Sequence, residues 1–222
     1  MLRRQSFPNG VFNPWKDVDR DNELSREGPK IRRRHLECYL EARLKSAKLL
    51  LLGEAVGYQG GHFSGLAMTS ERILLGYQME KGILPEHVFP DLEPQRTSKP
   101  EKMDKGFTEP TATIVWGALL NSGIKPNEFV LWNAFAWHPY ESRKGLLSNR
   151  KPKVEELVAG QKVLAQFLEL FPETKTVAVG KVATEALSQL GVRCTSVRHP
   201  AQGGAREFRR QINEMLDDRK GR

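Results

Sequence analysis

Three short stretches carry the residues with chemistry to offer. Glu54 lies in Gly53-Glu54-Ala55-Val56-Gly57, Asn133 in the apolar run 129–137, and His199 in Arg198-His199-Pro200, just ahead of Ala201-Gln202-Gly203-Gly204. A carboxylate at a glycine-rich turn is placed to orient a water or take a proton, and is equally at home as a solvated structural residue. A carboxamide in an apolar run needs partners for its donor and its acceptor, so Asn133 either ties down a neighbouring loop or presents its amide to a ligand edge. His199 is followed by a proline that fixes the turn and by glycines that leave the ring accessible; the pattern suits a packed histidine or one that donates to a substrate. The glycines after position 52 allow close backbone approach to a phosphate. Neither a Gly-Lys-Ser/Thr closure nor a Gly-x-Gly-x-x-Gly fingerprint accompanies them.

These residues need elements to bring them together. Four short apolar segments, 48–54, 129–135, 175–180 and 193–199, are bounded by Gly, Pro or polar residues and read as strands covered on both faces, as in a parallel sheet. Helical periods lie between them. Leu36, Tyr39, Leu40 and Leu44 share one face, Ile73, Leu74 and Tyr77 another, and Ile114, Val115, Leu119 and Leu120 a third. Val154, Leu157, Val158, Leu164, Phe167 and Leu168 precede the third strand, Val182, Ala186 and Leu187 follow it, and Phe208, Ile212, Met215 and Leu216 mark a terminal helix. The alternation predicts an α/β fold, a three-layer α/β/α sandwich around a central four-stranded parallel sheet. Ligands of such sheets bind at the carboxyl ends of the strands, where the loops holding Glu54, Asn133 and His199 would converge.

Composition narrows the class. With 222 residues, 39% hydrophobic and 28% charged, the chain is expected to fold as a single domain, with an N-terminal arm over 1–30, a proline-rich insertion over 82–110 and a tail over 219–222. The insertion carries five prolines and reads as a lid, a binding loop or a locally disordered segment. No apolar run approaches the length of a membrane span, and the basic start leads into polar residues without an apolar signal core, so a cytoplasmic protein is expected. Cys38 and Cys194 alone exclude a disulfide scaffold, a four-cysteine zinc site and an iron–sulfur cluster; no metal and no cofactor is anticipated. The net charge of +8 is clustered, with 12 basic against 7 acidic residues in 1–50, 5 against 1 in 141–153 and 8 against 4 in 193–222. Such clusters suit a polyanion, although scattered surface charge serves solubility too.

Taken together, Gly53-Glu54-Ala55-Val56-Gly57, then Ser64-Gly65-Leu66-Ala67-Met68-Thr69-Ser70-Glu71, Trp132-Asn133 and Val197-Arg198-His199-Pro200 resemble the uracil-DNA glycosylase superfamily, in register from about Lys48 to Phe208. The resemblance implies hydrolysis of the N-glycosidic bond of a flipped uracil or related deaminated base in DNA, by a monofunctional enzyme acting as a monomer. It assigns Glu54, Asn133 and His199 to catalysis: the 53–57 turn activates water, Asn133 reads the base edge, and His199 bonds the base oxygen on which charge develops. Gly53, Ala55, Gly57, Gly65 and Met68 would form the base pocket. Ser148, Asn149, Arg150, Arg198, Ala201, Gln202, Gly203 and Gly204 would contact DNA, with Gln202 filling the vacated stack. Superfamily members usually have Pro at the position of Val56 and an aromatic at that of Met68, and some branches carry a catalytic Asp where Ala55 stands. Branches with the Gly-Glu-Ala turn often hold an iron–sulfur cluster, whose structural part the arm around 7–15 would take over here. A non-catalytic nucleic-acid-binding protein that keeps the fold is the alternative, motivated by Val56 and Met68. A phosphotransferase lacks both the lysine motif and the carboxylate cluster it would need.

Overall fold

The leucines at 49–52 form the buried centre of the sheet. In the computed structural model, which describes residues 2–5, 7 and 10–217, they belong to a strand spanning Leu49–Ala55. In chain order the elements are β1 (Val11–Phe12), α1 (Gly28–Glu41), β2 (Leu49–Ala55), α2 (Gly61–Ser64), α3 (Glu71–Leu74), α4 (Pro85–Val88), α5 (Pro110–Asn121), β3 (Phe129–Phe135), β4 (His138–Pro139), α6 (Val154–Glu169), β5 (Lys175–Val179), α7 (Lys181–Gln189), β6 (Thr195–Val197) and α8 (Ala205–Asp217). The sheet runs β3-β2-β5-β6 with every neighbour parallel. Helices flank it, α6 against β3 and α7 across β5, β2 and β3. This is the α/β architecture anticipated from the apolar runs.

Register matters for function. Gly53 pairs with Asn133 and Ala55 with Phe135, so the glycine turn and the carboxamide leave the sheet side by side. The fourth strand is shorter than the apolar run, spanning Thr195–Val197, and releases Arg198 and His199 into the following loop.

Several helix faces differ from the sequence pattern. Val154 and Val158 are 74% and 57% exposed, while α6 buries Leu164 and Phe167 from the apolar period together with Gly160 and Val163. Gly160 sets that face: a Cβ there would stand 3.3 Å from the Phe135 ring, so the helix approaches the sheet at its glycine. Leu44 and Tyr77 are exposed and lie beyond the ends of α1 and α3.

The N-terminal arm and the proline-rich segment are both built into the core. A second, two-stranded sheet joins β1 to β4 antiparallel. Phe7 packs edge-on against Phe135 and Trp137, and Trp15 stacks on Trp132, which stacks on Phe167. Residues 82–110 bury Ile83, Val88, Phe89 and Phe107, while Thr97 and Ser98 donate backbone hydrogen bonds to the buried Glu71 carboxylate at 2.7 and 3.0 Å. The segment is thus a packed part of the domain. The 219–222 tail lies outside the described residues.

Candidate active site

Gly53 has no side chain because there is no room for one. A Cβ at Gly53 would stand 2.6 Å from the Asn133 carboxamide and 3.1 Å from Met68 Sδ. Glycine, Asn133 and Met68 therefore meet on one face of the sheet at its carboxyl edge. Asn133 is buried, with its nitrogen 3.2 Å from the Trp132 carbonyl and its oxygen 3.3 Å from the Val56 N–H. Met68 covers this wall with a left-handed backbone, φ +44°, which a side chain rarely adopts. Its neighbours hold it there: Ser64 Oγ donates to the Thr69 carbonyl at 2.6 Å, and Thr69 Oγ1 accepts from Trp116 Nε1 at 3.0 Å.

His199 sits on Gly180, whose absent Cβ would be 3.1 Å from the histidine Cβ. Its Nδ1 accepts a hydrogen bond from the Ala201 N–H at 3.1 Å. A neutral ring with Nδ1 occupied as acceptor carries its proton on Nε2, so Nε2 is a donor. Burial, assisted by the charge of Arg198, holds the imidazole below its ordinary value and keeps it neutral near pH 7. The loop closes at Gly204, where a Cβ would overlap the His199 carbonyl oxygen, and Gln202 stands exposed near its tip with φ +52°.

A groove of about 1080 Å³ joins these strand ends, lined among others by Glu54, Lys151, Arg198, His199 and Gln202. Burial raises the Glu54 carboxyl above its ordinary value, and the nearby charge of Lys151 opposes the rise. An anion, a neutral imidazole donor and basic side chains thus share one open cleft. Such a set can stabilise a cationic sugar and an anionic leaving group while holding a polyanion.

The sequence profile of the Uracil DNA glycosylase superfamily matches residues 42–217. The chain belongs to that superfamily. Among solved structures, wild-type SMUG2 of Pedobacter heparinus is similar over 97% of this chain and 90% of its own, with a TM-score of 0.61 and 12% identity, a likeness of fold. No curated protein matches the chain.

Within this superfamily member the predicted site residues divide. Glu54, Arg198, His199, Ala201 and Gln202 come together in the groove, with Gly203 and Gly204 completing its loop, and Gly53, Asn133 and Met68 meet at the sheet edge beside it. Gly65 does not line that edge; a Cβ there would stand 2.7 Å from Arg32 Cβ, so it serves the contact between α2 and α1. Ala55 ends β2 half-buried, beside Phe135.

Arg150 also lines the groove, with its guanidinium engaged inside the protein. A guanidinium has five N–H donors, and all five are used internally: Nε to the Tyr140 carbonyl, Nη1 to Lys151 O and Glu156 Oε2, Nη2 to Gly10 O and Glu156 Oε1. Ser148 is buried, its hydroxyl donating to Gly145 O at 2.7 Å and accepting from Glu141 N at 3.0 Å. Asn149 is exposed and lines the groove, but its Oδ1 accepts from the Tyr58 N–H at 2.9 Å and fastens the loop to the glycine turn. These residues build the wall, and Lys151 presents the charge.

Glu109 escaped the sequence pattern. Its carboxylate lies against Gly60, where a Cβ would overlap it, and Oε2 is enclosed without a hydrogen-bond partner. Burial pushes this carboxyl up to about 7. Its only signal in sequence is a place before Pro110, which reads as an ordinary helix start.

Proposed function

We propose that this superfamily member is a monofunctional DNA N-glycosylase that removes uracil or a related deaminated base. The observation that carries the reading is the hydrogen bond from the Ala201 N–H to His199 Nδ1, which leaves Nε2–H as the donor of a neutral ring on a residue that lines the groove. In the reaction the C1′–N bond breaks with its electron pair leaving on the base, and water adds at C1′. The base flips out of the stack, at roughly a few kcal/mol of unstacking. His199 Nε2–H bonds the base oxygen that gains charge, a kind of contact worth roughly 3 to 4 kcal/mol in a pre-organised site. Glu54 faces the sugar as an anion, accepting the water's proton or balancing the oxocarbenium charge. Asn133 gives a donor and an acceptor of its carboxamide to the base edge, on the face that it shares with Gly53 and Met68. Gln202 fills the vacated stack, and Lys151 and Arg198 meet phosphates.

The experiment is cleavage of labelled oligonucleotides that are single-stranded or contain A·U, G·U, hypoxanthine or xanthine, with alkaline scission of abasic sites. The expected result is base-specific cleavage that falls roughly 100- to 1,000-fold in His199→Ala. No cleavage on any substrate by a folded protein that still binds DNA would instead mark a non-catalytic binding protein.

A further inference from the structure

Asp19, His62 and His138 form a buried chain of contacts that this reaction does not use. Asp19 Oδ2 faces His62 Nε2 at 3.1 Å, His62 Nδ1 faces His138 Nδ1 at 2.9 Å, and His138 Nε2 faces the Ser148 carbonyl at 2.8 Å. The chain joins the N-terminal arm, α2 just after the glycine turn, and the loop in which Asn149 bonds back to Tyr58. Asp19 lies outside the segment matched by the superfamily profile.

Counting hydrogens shows what the chain requires. The Ser148 carbonyl can only accept, so His138 Nε2 carries a hydrogen. The other two contacts each need one as well. Two neutral imidazoles supply two hydrogens for three contacts. With Asp19 ionised, either His62 Nε2 would face a carboxylate oxygen bare, or the two Nδ1 atoms would face each other bare. One further proton removes the conflict.

Its place follows from Asp19. Both carboxylate oxygens already accept from Asn22 Nδ2, at 3.0 and 2.9 Å. Although burial opposes it, hydrogen bonds from His62 and Asn22 hold this carboxyl below its ordinary value. The added proton therefore belongs to the imidazole pair. Burial works against a charge on either ring, and for His138 strongly. Against this, the protonated trio is neutral as a unit, whereas the deprotonated one buries a lone negative charge. Around the trio, Arg32 opposes the added charge, Glu71 favours it, and Arg32 is itself paired with the buried Glu23; Tyr140 neighbours the His138 ring, and Phe12 stacks on His62.

We propose that Asp19, His62 and His138 hold one shared proton, as a carboxylate and an imidazole–imidazolium pair, and that Asp19 thereby positions the Ser148-Asn149 loop against the glycine turn. The catalytic consequence rests on the glycosylase reading, and the proton itself does not.

Nitrogen-15 NMR of the histidine-labelled full chain at pH 7 counts the hydrogens on the two buried rings. The expected count is three in the wild type and two in Asp19→Asn, whose amide donates to His62 Nε2 while its oxygen still accepts from Asn22. Two in the wild type, or three in both proteins, overturns the proposal. In the base-release assay the wild type should lose rate as alkali removes the third hydrogen, and Asp19→Asn should lack that limb. A limb common to both proteins sinks the positioning role. Absence of base release from both at every pH counts against the glycosylase reading, and the hydrogen count then decides the shared proton alone.

Discussion

Gly204 and His199 touch through their backbones: the Cα of the glycine approaches the histidine carbonyl so closely that a methyl group would overlap it. This contact, with the Gly204 N–H donating to Ala201 O at 3.1 Å, folds the loop that keeps the Ala201 N–H on His199 Nδ1. Gly204→Ala should therefore misplace the imidazole while the sheet stays intact. A displacement of about 1 Å at a reacting group is worth roughly 100-fold in rate. Base release measured beside a thermal melt checks this: a fall in rate of that order with little change in Tm is expected.

Glu54 and Lys151 make a second prediction, in the acid limb of the pH profile. Burial raises the Glu54 carboxyl and Lys151 restrains it, so the anion is present above a pKa higher than the ordinary value and is lost as pH falls through it. Rate should decline along that limb. Lys151→Met removes the restraint and should move the limb to higher pH, while Glu54→Gln should abolish the limb and lower the plateau roughly 100-fold or more. Rate profiles from pH 4 to 8 for the three proteins give the answer.

Glu109 makes a statement about stability. Its carboxyl sits near 7 in the folded protein and at the ordinary 4.5 when unfolded. Between those values the folded state holds the proton more tightly, so stability should fall as pH rises through the window and level off above about 7. Glu109→Gln keeps the shape without the ionisation. Urea midpoints of the variant, compared with the wild type from pH 4.5 to 8, should lack this component of the decline.

Arg150 and Lys151 are adjacent and should behave as opposites. Arg150→Ala breaks the bond pair to Glu156 and three carbonyl contacts, and should cost about 1 to 3 kcal/mol of stability. Lys151→Ala should leave the melt unchanged and reduce the slope of log K against log salt for DNA binding by about 1. Titrations at several salt concentrations separate the two.

The contrast between these neighbours shows what a sequence can disclose. Both read as loop cations, and only the fold reveals that Glu156, six residues on, claims Arg150. The four strands were legible because burial on both faces leaves continuous apolar runs. Glu54 and His199 stand out as polar residues at the ends of such runs, and Asn133 as a carboxamide inside one. By contrast, β1 and β4 are two residues each, too short for any period to register. The partners of His62 lie 43 and 76 residues away along the chain, so their meeting is a product of topology that no local spacing foretells. Val154 and Val158 share the apolar period of α6 yet face solvent, because close packing at Gly160 chooses the buried face.

The position of β2 at the middle of the sheet has a consequence for synthesis on the ribosome. Leu49 pairs with Phe129 on one side and Lys175 on the other, so its second neighbour is made 126 residues later. At roughly 5 to 20 residues per second, the apolar stretch at 49–52 waits about 6 to 25 s in the nascent chain before the sheet can close around it. During that interval four consecutive leucines are open to capture by a chaperone or by another unfinished chain, and more frequent initiation in a heterologous host would crowd more such chains together.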